Sequence, residues 1–225
     1  MPTMNGLTPN IERWLKRAMP ADMPIPDRIV NSQRGEINIR ENWTPFTAAT
    51  SYQAVPFSFN WQARIRPMPL VWLQARDYHS GLSGGGSTRL WGLFSMGSRE
   101  DSIAFHMQLV RSLAELPWMP PYARAIPGLK FQDEGDSAFT LLAQIADFEI
   151  NLTFEQNQDG EVVRVHGQRH YDTPDGYILA PWQIIYEDYI TLNGLLVPGR
   201  ATAVYEKPEG RWEYWRGEIL DLRLE

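Results

Sequence analysis

Apolar residues recur at two different spacings along the chain. Near the start, Ile11, Trp14, Leu15, Ala18 and Met19 fall three and four positions apart, the spacing that lines one face of a helix. Thr8 stands at the N-cap position, Pro9 at the first helical position, and Pro20 ends the run, so an N-terminal helix is expected within 1–20. Beyond it the spacing changes to two. Alternating or β-branched runs over 29–39, 44–55, 57–66, 70–78 and 88–94 are separated by Gly, Pro and Asn, as in a meander of strands. A second helix is expected after a cap at Ser98 or Asp101, with Ile103, Met107, Val110 and Ala114 on one stripe and Pro117 at its end. The Pro-rich "LPWMPPYARAIPG" then continues an irregular crossover, 98–127 in all. Strands resume over 129–133, 138–145, 148–155, 162–171, 177–189, 195–205 and 212–224, with hairpin turns at "NQDG" and "NG".

Eleven or twelve strands, two or three helices and no compositional break predict a single domain over 1–225. The expected fold class is mainly β (α+β). A large curved antiparallel sheet forms a barrel or half-barrel, with the two helices at its mouth or concave face. The stretch "FNWQARIRPMPLVWLQARDYHSG" sharpens that picture. Trp61, Ala63 and Ile65 alternate with Gln62, Arg64 and Arg66; after the prolines, Leu70, Trp72, Gln74, Arg76 and Tyr78 share one face, and Val71, Leu73, Ala75 and Asp77 the other. A concave face too wide for side chains to fill can carry both core residues and a cavity lining. Trp72, Gln74, Arg76 and Tyr78 are expected to be such a lining.

Composition narrows the partners. The 225 residues carry a formal charge of −6, and the cations are mainly scattered arginines, with no lysine cluster that would track nucleic-acid phosphates or anionic lipid. There are no cysteines, which removes disulfides, thiolate metal sites and a cysteine nucleophile. No stretch reads as a signal peptide or membrane span, and a soluble, cytoplasmic protein is expected.

Several motifs suggest chemistry and fail on context. "GLSGG" at 81–85 fits the nucleophile-elbow pattern, but the glycines that follow are poor helix starters, so a Gly-rich hairpin or cavity rim is expected. The same glycines satisfy neither the dinucleotide nor the P-loop pattern. His166 and His170 lie on an alternating strand, where four residues span about 13 Å, too far to chelate one ion. With Arg164 and Gln168 they form either a solvated outer face or a polar cavity wall. His79 and His106 are singletons, and Asp77, Asp147, Glu149, Glu187 and Asp188 form no local catalytic pair. No metal and no cofactor are expected. The stronger signal is aromatic: nine Trp, nine Tyr, nine Phe and eight Met, densest in "PWMPPY" and "PWQIIYEDY".

Taken in order, "RWLKRAMP", "WTPFTA", "FNWQARI", "ARDYHSGLSGGGSTRLWGLF", "LVRSLAELPWMP", "APWQIIYEDYITLNGLLVP" and "YWRGEILDLRLE" resemble a bacterial family of unknown function over nearly the whole chain. The resemblance implies a fold similar to the LolA/LolB-like lipoprotein-localisation carriers, whose half-barrels hold acyl chains against an inner helix. It implies no catalytic residues. Where the family has Glu in a "GELxRYLAE" helix, this chain has Gln108, preceded by His106 and Met107.

Two classes of function follow. The first is a cofactor-independent cyclase that folds a flexible, polyketide-like substrate into a near-attack geometry. Tyr78, His106, Gln108 and Arg76 would be the catalytic residues, and Trp72, Gln74, Trp118, Tyr122, Trp182 and Tyr186 would bind the ligand. The alternative is a non-catalytic carrier or sensor of a lipid or other hydrophobic ligand. Either way the partner is a hydrophobic small molecule, and a filled barrel without a ligand is the third case.

Overall fold

The computed structural model describes residues 7–225; residues 1–6 of the expected N-terminal segment lie outside the described residues. Helix α1 (Pro9–Ala18) turns Ile11, Trp14, Leu15 and Ala18 into the core. Its cap differs from expectation. The Thr8 side chain caps no backbone N–H; its hydroxyl donates to Asp133, and the same carboxylate accepts from the Asn10 N–H at 3.3 Å. An anion from a distant strand thus takes the N-terminal position that the helix dipole favours.

The chain then runs through β1 (Ile29–Ile39), β2 (Asn42–Ala54), β3 (Phe57–Met68), β4 (Val71–Ser80), β5 (Ser83–Leu90) and β6 (Phe94–Arg99). Helix α2 (Ser102–Ala114) and two 3₁₀ turns, Leu116–Trp118 and Pro120–Arg124, form the crossover. The second half adds β7 (Lys130–Asp133), β8 (Ala138–Ile145), β9 (Phe148–Gln156), β10 (Val162–Thr173), β11 (Gly176–Leu192), β12 (Leu195–Lys207) and β13 (Gly210–Leu224). The thirteen strands among the described residues make one antiparallel sheet, in the order β6-β5-β4-β3-β2-β1-β13-β12-β11-β10-β9-β8-β7. The sheet is curled into a half-barrel.

This order explains where α2 must lie. The β1–β13 ladder joins the two meanders at the centre, so the edges are β6 and β7, the strands flanking the crossover. A segment connecting two edges of a curled sheet has to cross its concave side. Helix α2 accordingly packs on β4 and β5 at one flank and on β9 and β10 at the other. Asp101 caps it, accepting from the Ala104 N–H at 2.8 Å, a contact worth about 1 kcal/mol. Because the sheet wraps the helix, His106, Gln108 and Ser112 are buried along with the apolar residues, while Ile103 and Met107, expected on the buried stripe, are only half-buried.

Of the Gly-rich hairpin or cavity rim expected at 81–85, the structure has the hairpin, β4 turning into β5. Strand β5 takes Gly84, Gly85 and Gly86 into the ladder with β4, and β6 is an additional strand. A Cβ at Gly85 would lie 1.9 Å from the Arg99 carbonyl oxygen, so close approach of neighbouring backbone, not loop mobility, requires glycine here.

The face assigned to β4 is corrected. Leu73, Ala75, Asp77 and His79 stand opposite Ile65, Ala63, Trp61 and Phe59, four buried residues of β3, so they face the core. Trp72, Gln74, Arg76 and Tyr78 have the opposite parity and lie on the convex face. There the Arg64 guanidinium stacks over Trp72 and that of Arg76 over Tyr78, each at 4.4 Å, and Arg76 Nε donates to Asn60 Oδ1 at 2.8 Å.

Candidate functional site

The ladder between β9 and β10 stops early. It runs from Gln156/Val162 to Leu152/Gly167; beyond that point β9 continues with β8 alone and β10 with β11. Gly167 sits at the apex of this divergence, where an added Cβ would come within 2.7 Å of the Asn151 carbonyl oxygen and 2.8 Å of Leu152.

The separating strands frame a cleft of about 790 Å³, within the range of small-molecule sites. One lip carries Phe148, Ile150 and Asn151 of β9, the other Gln168 and His170 of β10 with Leu179 and Pro181 of β11. His106 and Val110 of α2 and Trp182 of β11 also line it. Buried residues and outward-facing residues therefore meet in one opening through the sheet wall. Arg164, His166 and Gln168 border its outer part, but they share the outward face of β10, opposite buried Val165 and Arg169, with Arg164 and His166 reaching solvent, so this face is the solvated outer one at the mouth of the cleft.

The histidines give the cleft its polarity. The His106 ring stacks on Phe148 at 4.6 Å and meets His170 edge-on at 5.6 Å. Burial, the neighbouring His170 and Arg169 lower His106 to about 4, and burial with Arg169 lowers His170. Both are neutral near pH 7, and the Nδ1 atoms of both are buried without a hydrogen-bond partner. Arg169 anchors the wall behind them: its Nε donates to the Met107 carbonyl oxygen at 3.1 Å, its guanidinium also donates to the Tyr205 hydroxyl, and that hydroxyl donates to the His170 carbonyl oxygen at 2.7 Å.

On its β4 side α2 carries a buried ion cluster. Arg111 Nη1 meets Asp77 Oδ2 at 2.6 Å and its Nε meets Glu115 Oε1 at 2.9 Å, with the guanidinium 4.7 Å from the centre of the Trp61 ring. Tyr52 donates to Glu115 Oε2 at 2.6 Å. Burial works against the Arg111 cation, but Glu115 and Asp77 outweigh it and hold the group above its usual range. Nearby, His79 Nε2 lies 2.8 Å from Ser112 Oγ. The serine hydroxyl donates to the Leu109 carbonyl oxygen at 3.0 Å, so the imidazole N–H donates to serine, and this serine–histidine contact is a packing contact.

Of the residues expected to form the site, His106 and Trp182 line the cleft. Trp118, Tyr122 and Tyr186 are buried elsewhere in the core. Their polar atoms are committed to the carbonyl oxygens of Pro198 (3.0 Å), Tyr52 (3.2 Å) and Ala114 (2.9 Å). Gln108 shares the α2 face of Ser112 and has a buried, unpartnered Oε1, away from the face that His106 and Val110 present to the cleft. Arg76, Tyr78, Trp72 and Gln74 are outside, so the four residues given catalytic roles are not brought together. Phe148, Ile150 and Gly167 escaped sequence reasoning, since a ladder that stops short leaves no mark in alternation. Among the described residues no group of three or more His, Cys, Asp or Glu side chains could hold a metal ion.

The family of unknown function DUF6920 matches residues 5–223. The chain belongs to that family. No curated protein matches this DUF6920 chain. Among solved structures it is similar to a DUF1329 family protein from Desulfovibrio piger ATCC 29098, with a TM-score of 0.52 and 10% identity over 96% of this chain and 92% of that one. A LolA superfamily protein from Nitrosomonas europaea gives a TM-score of 0.48 and 11% identity over 96% and 92%. A Vibrio parahaemolyticus domain assigned to outer membrane lipoprotein sorting gives 0.47 and 12% over 96% and 91%. The fold of this DUF6920 member is thus shared with the DUF1329 family protein, and its half-barrel is the fold that the resemblance implied. The cytoplasmic location expected from the sequence finds no support among these neighbours, one of which is a domain assigned to outer membrane lipoprotein sorting.

Proposed function

We propose that the protein is a non-catalytic carrier or sensor that holds a hydrophobic small molecule in the β9/β10 cleft. The observation that carries this reading is the divergence of the two strands, which opens a passage with a polar, partly charged mouth and an apolar patch leading down to α2 and Trp182. Phe148, Ile150, Val110, Leu179 and Trp182 supply surface for an apolar body, and the unpartnered Nδ1 atoms of neutral His106 and His170 supply hydrogen bonding for one polar group. The resemblance to lipoprotein-localisation carriers supports the same reading. A cyclase would need Arg76, Tyr78, His106 and Gln108 around one substrate; two stand on the convex face and the other two on different faces of α2.

Titration with the fluorescent fatty acid cis-parinaric acid tests the proposal. Saturable binding is expected, and Leu179→Glu, a change at a half-exposed cleft residue, is expected to weaken it at least tenfold, the scale of losing one buried aliphatic side chain. Trp72→Ala on the convex face is expected to leave it unchanged. Binding that ignores the Leu179 change but responds to the Trp72 change would overturn the assignment.

A further inference from the structure

Far from the cleft, the β3–β4 and β5–β6 hairpins end at one corner of the sheet. Met68, Leu70, Leu93, Phe94 and Met96 are exposed there, Leu70 by 95% and Leu93 by 78%. The two tips are tied together: the Trp91 backbone N–H donates to the Trp72 carbonyl oxygen at 3.0 Å, and its indole Nε1 to the Leu70 carbonyl oxygen at 3.1 Å. The Trp91 ring meets Phe94 edge-on at 6.4 Å. A group of apolar side chains held out into water on fixed turns marks a surface that meets something apolar.

Charge indicates what that is. Residues 57–99 contain five arginines and one carboxylate, Asp77, whereas the rest of the chain carries sixteen cations against twenty-six acids. Asp77 turns inward to Arg111, so the outward charges contributed by residues 57–99 are all cations, with Glu100 bordering them beside Tyr78. Arg64, Gln74 and Arg89 form one cross-strand row on the convex face, next to the tips. Among the described residues, no carboxylate lies within ion-pair distance of Arg64, Arg66, Arg76 or Arg89. The arginines come from separate strands and look scattered in sequence; the sheet gathers them.

We propose that this corner docks the protein on an anionic phospholipid bilayer, with Leu70, Leu93 and Phe94 in the interfacial layer and the arginines against lipid phosphates. Projecting apolar turns beside unpaired cations match that boundary, where apolar burial and attraction to anionic headgroups act together. The uneven charge also turns this quarter of an otherwise acidic molecule toward a negative surface. The proposal is independent of what occupies the cleft.

Flotation of the full chain with vesicles of phosphatidylglycerol and phosphatidylethanolamine, beside vesicles of phosphatidylcholine alone, tests it. Binding to the anionic vesicles is expected, weakening as salt rises. The combined Leu70→Ser, Leu93→Ser and Phe94→Ser changes are expected to reduce it more than tenfold, and Arg64→Gln, Arg66→Gln or Arg89→Gln about fivefold each. Leu82→Ser removes an equally exposed residue, 75% accessible, from the opposite end of the sheet and is expected to change nothing. All these positions are on the surface, so thermal melting and cis-parinaric acid binding should stay at wild-type values. Absence of flotation, or flotation unaffected by the tip changes, would overturn the proposal. So would loss of a solution dimer in the tip variant without any vesicle binding, which would assign the corner and the exposed β6 edge to a second copy.

Discussion

At the residue scale, burial of polar groups on the concave side is the main electrostatic fact. Removing one member of a buried ion pair leaves its partner uncompensated, and Arg111 serves two carboxylates at once. His79 poses the opposite case, a neutral base among Phe57, Phe59 and Phe105. Burial lowers its pKa from 6.5 to about 3. The unfolded chain takes up this proton below pH 6.5 while the folded chain refuses it, so stability present above pH 6.5 is lost as the pH falls toward 3. The slope is about 1.4 kcal/mol per pH unit for one proton. His79→Phe is expected to remove that share of the slope between pH 6.5 and 4 in denaturant unfolding. An unaltered slope would show that His79 is already protonated in the fold. The misreading of β4 arises at the same scale. Alternation identified both faces, but rings mixed with arginines and an amide read as a cavity lining, whereas Arg64 over Trp72 and Arg76 over Tyr78 stack on the convex face, and the inward Asp77 meets Arg111, 34 residues further on.

At the element scale, strand periodicity was legible and ladder extent was not. Hairpin turns at Asn157–Gly160 and Asn193–Gly194, the crossover and its helix were all visible in local spacing. The glycines of β5 were not, since their reason is the backbone of Arg99 and Tyr78 pressing on them from neighbouring strands. The end of the β9/β10 ladder was equally hidden. Gly167 marks it, and Gly167→Val places side-chain atoms where Asn151 and Leu152 already stand. The variant is expected to lose about 1–3 kcal/mol in denaturant unfolding, the scale of overpacking, and to bind cis-parinaric acid more weakly because the apex of the cleft shifts. Wild-type values for both would mean that the strands separate without help from Gly167.

At the scale of the whole molecule, the open curled sheet, its inner helix and the family were readable from the order of motifs, while the site was not. A site made where two strands part depends on how far a pairing extends, and a charged corner depends on which strands become neighbours; both are products of the sheet order. The central claim is that the β9/β10 cleft is the ligand site. Hydrogen-exchange mass spectrometry of the protein with and without cis-parinaric acid locates binding directly. Protection confined to residues 147–153, 164–170 and 179–183 with the first turns of α2 is the predicted result. Protection centred on the convex face around Trp72, or none despite saturable binding, would contradict it.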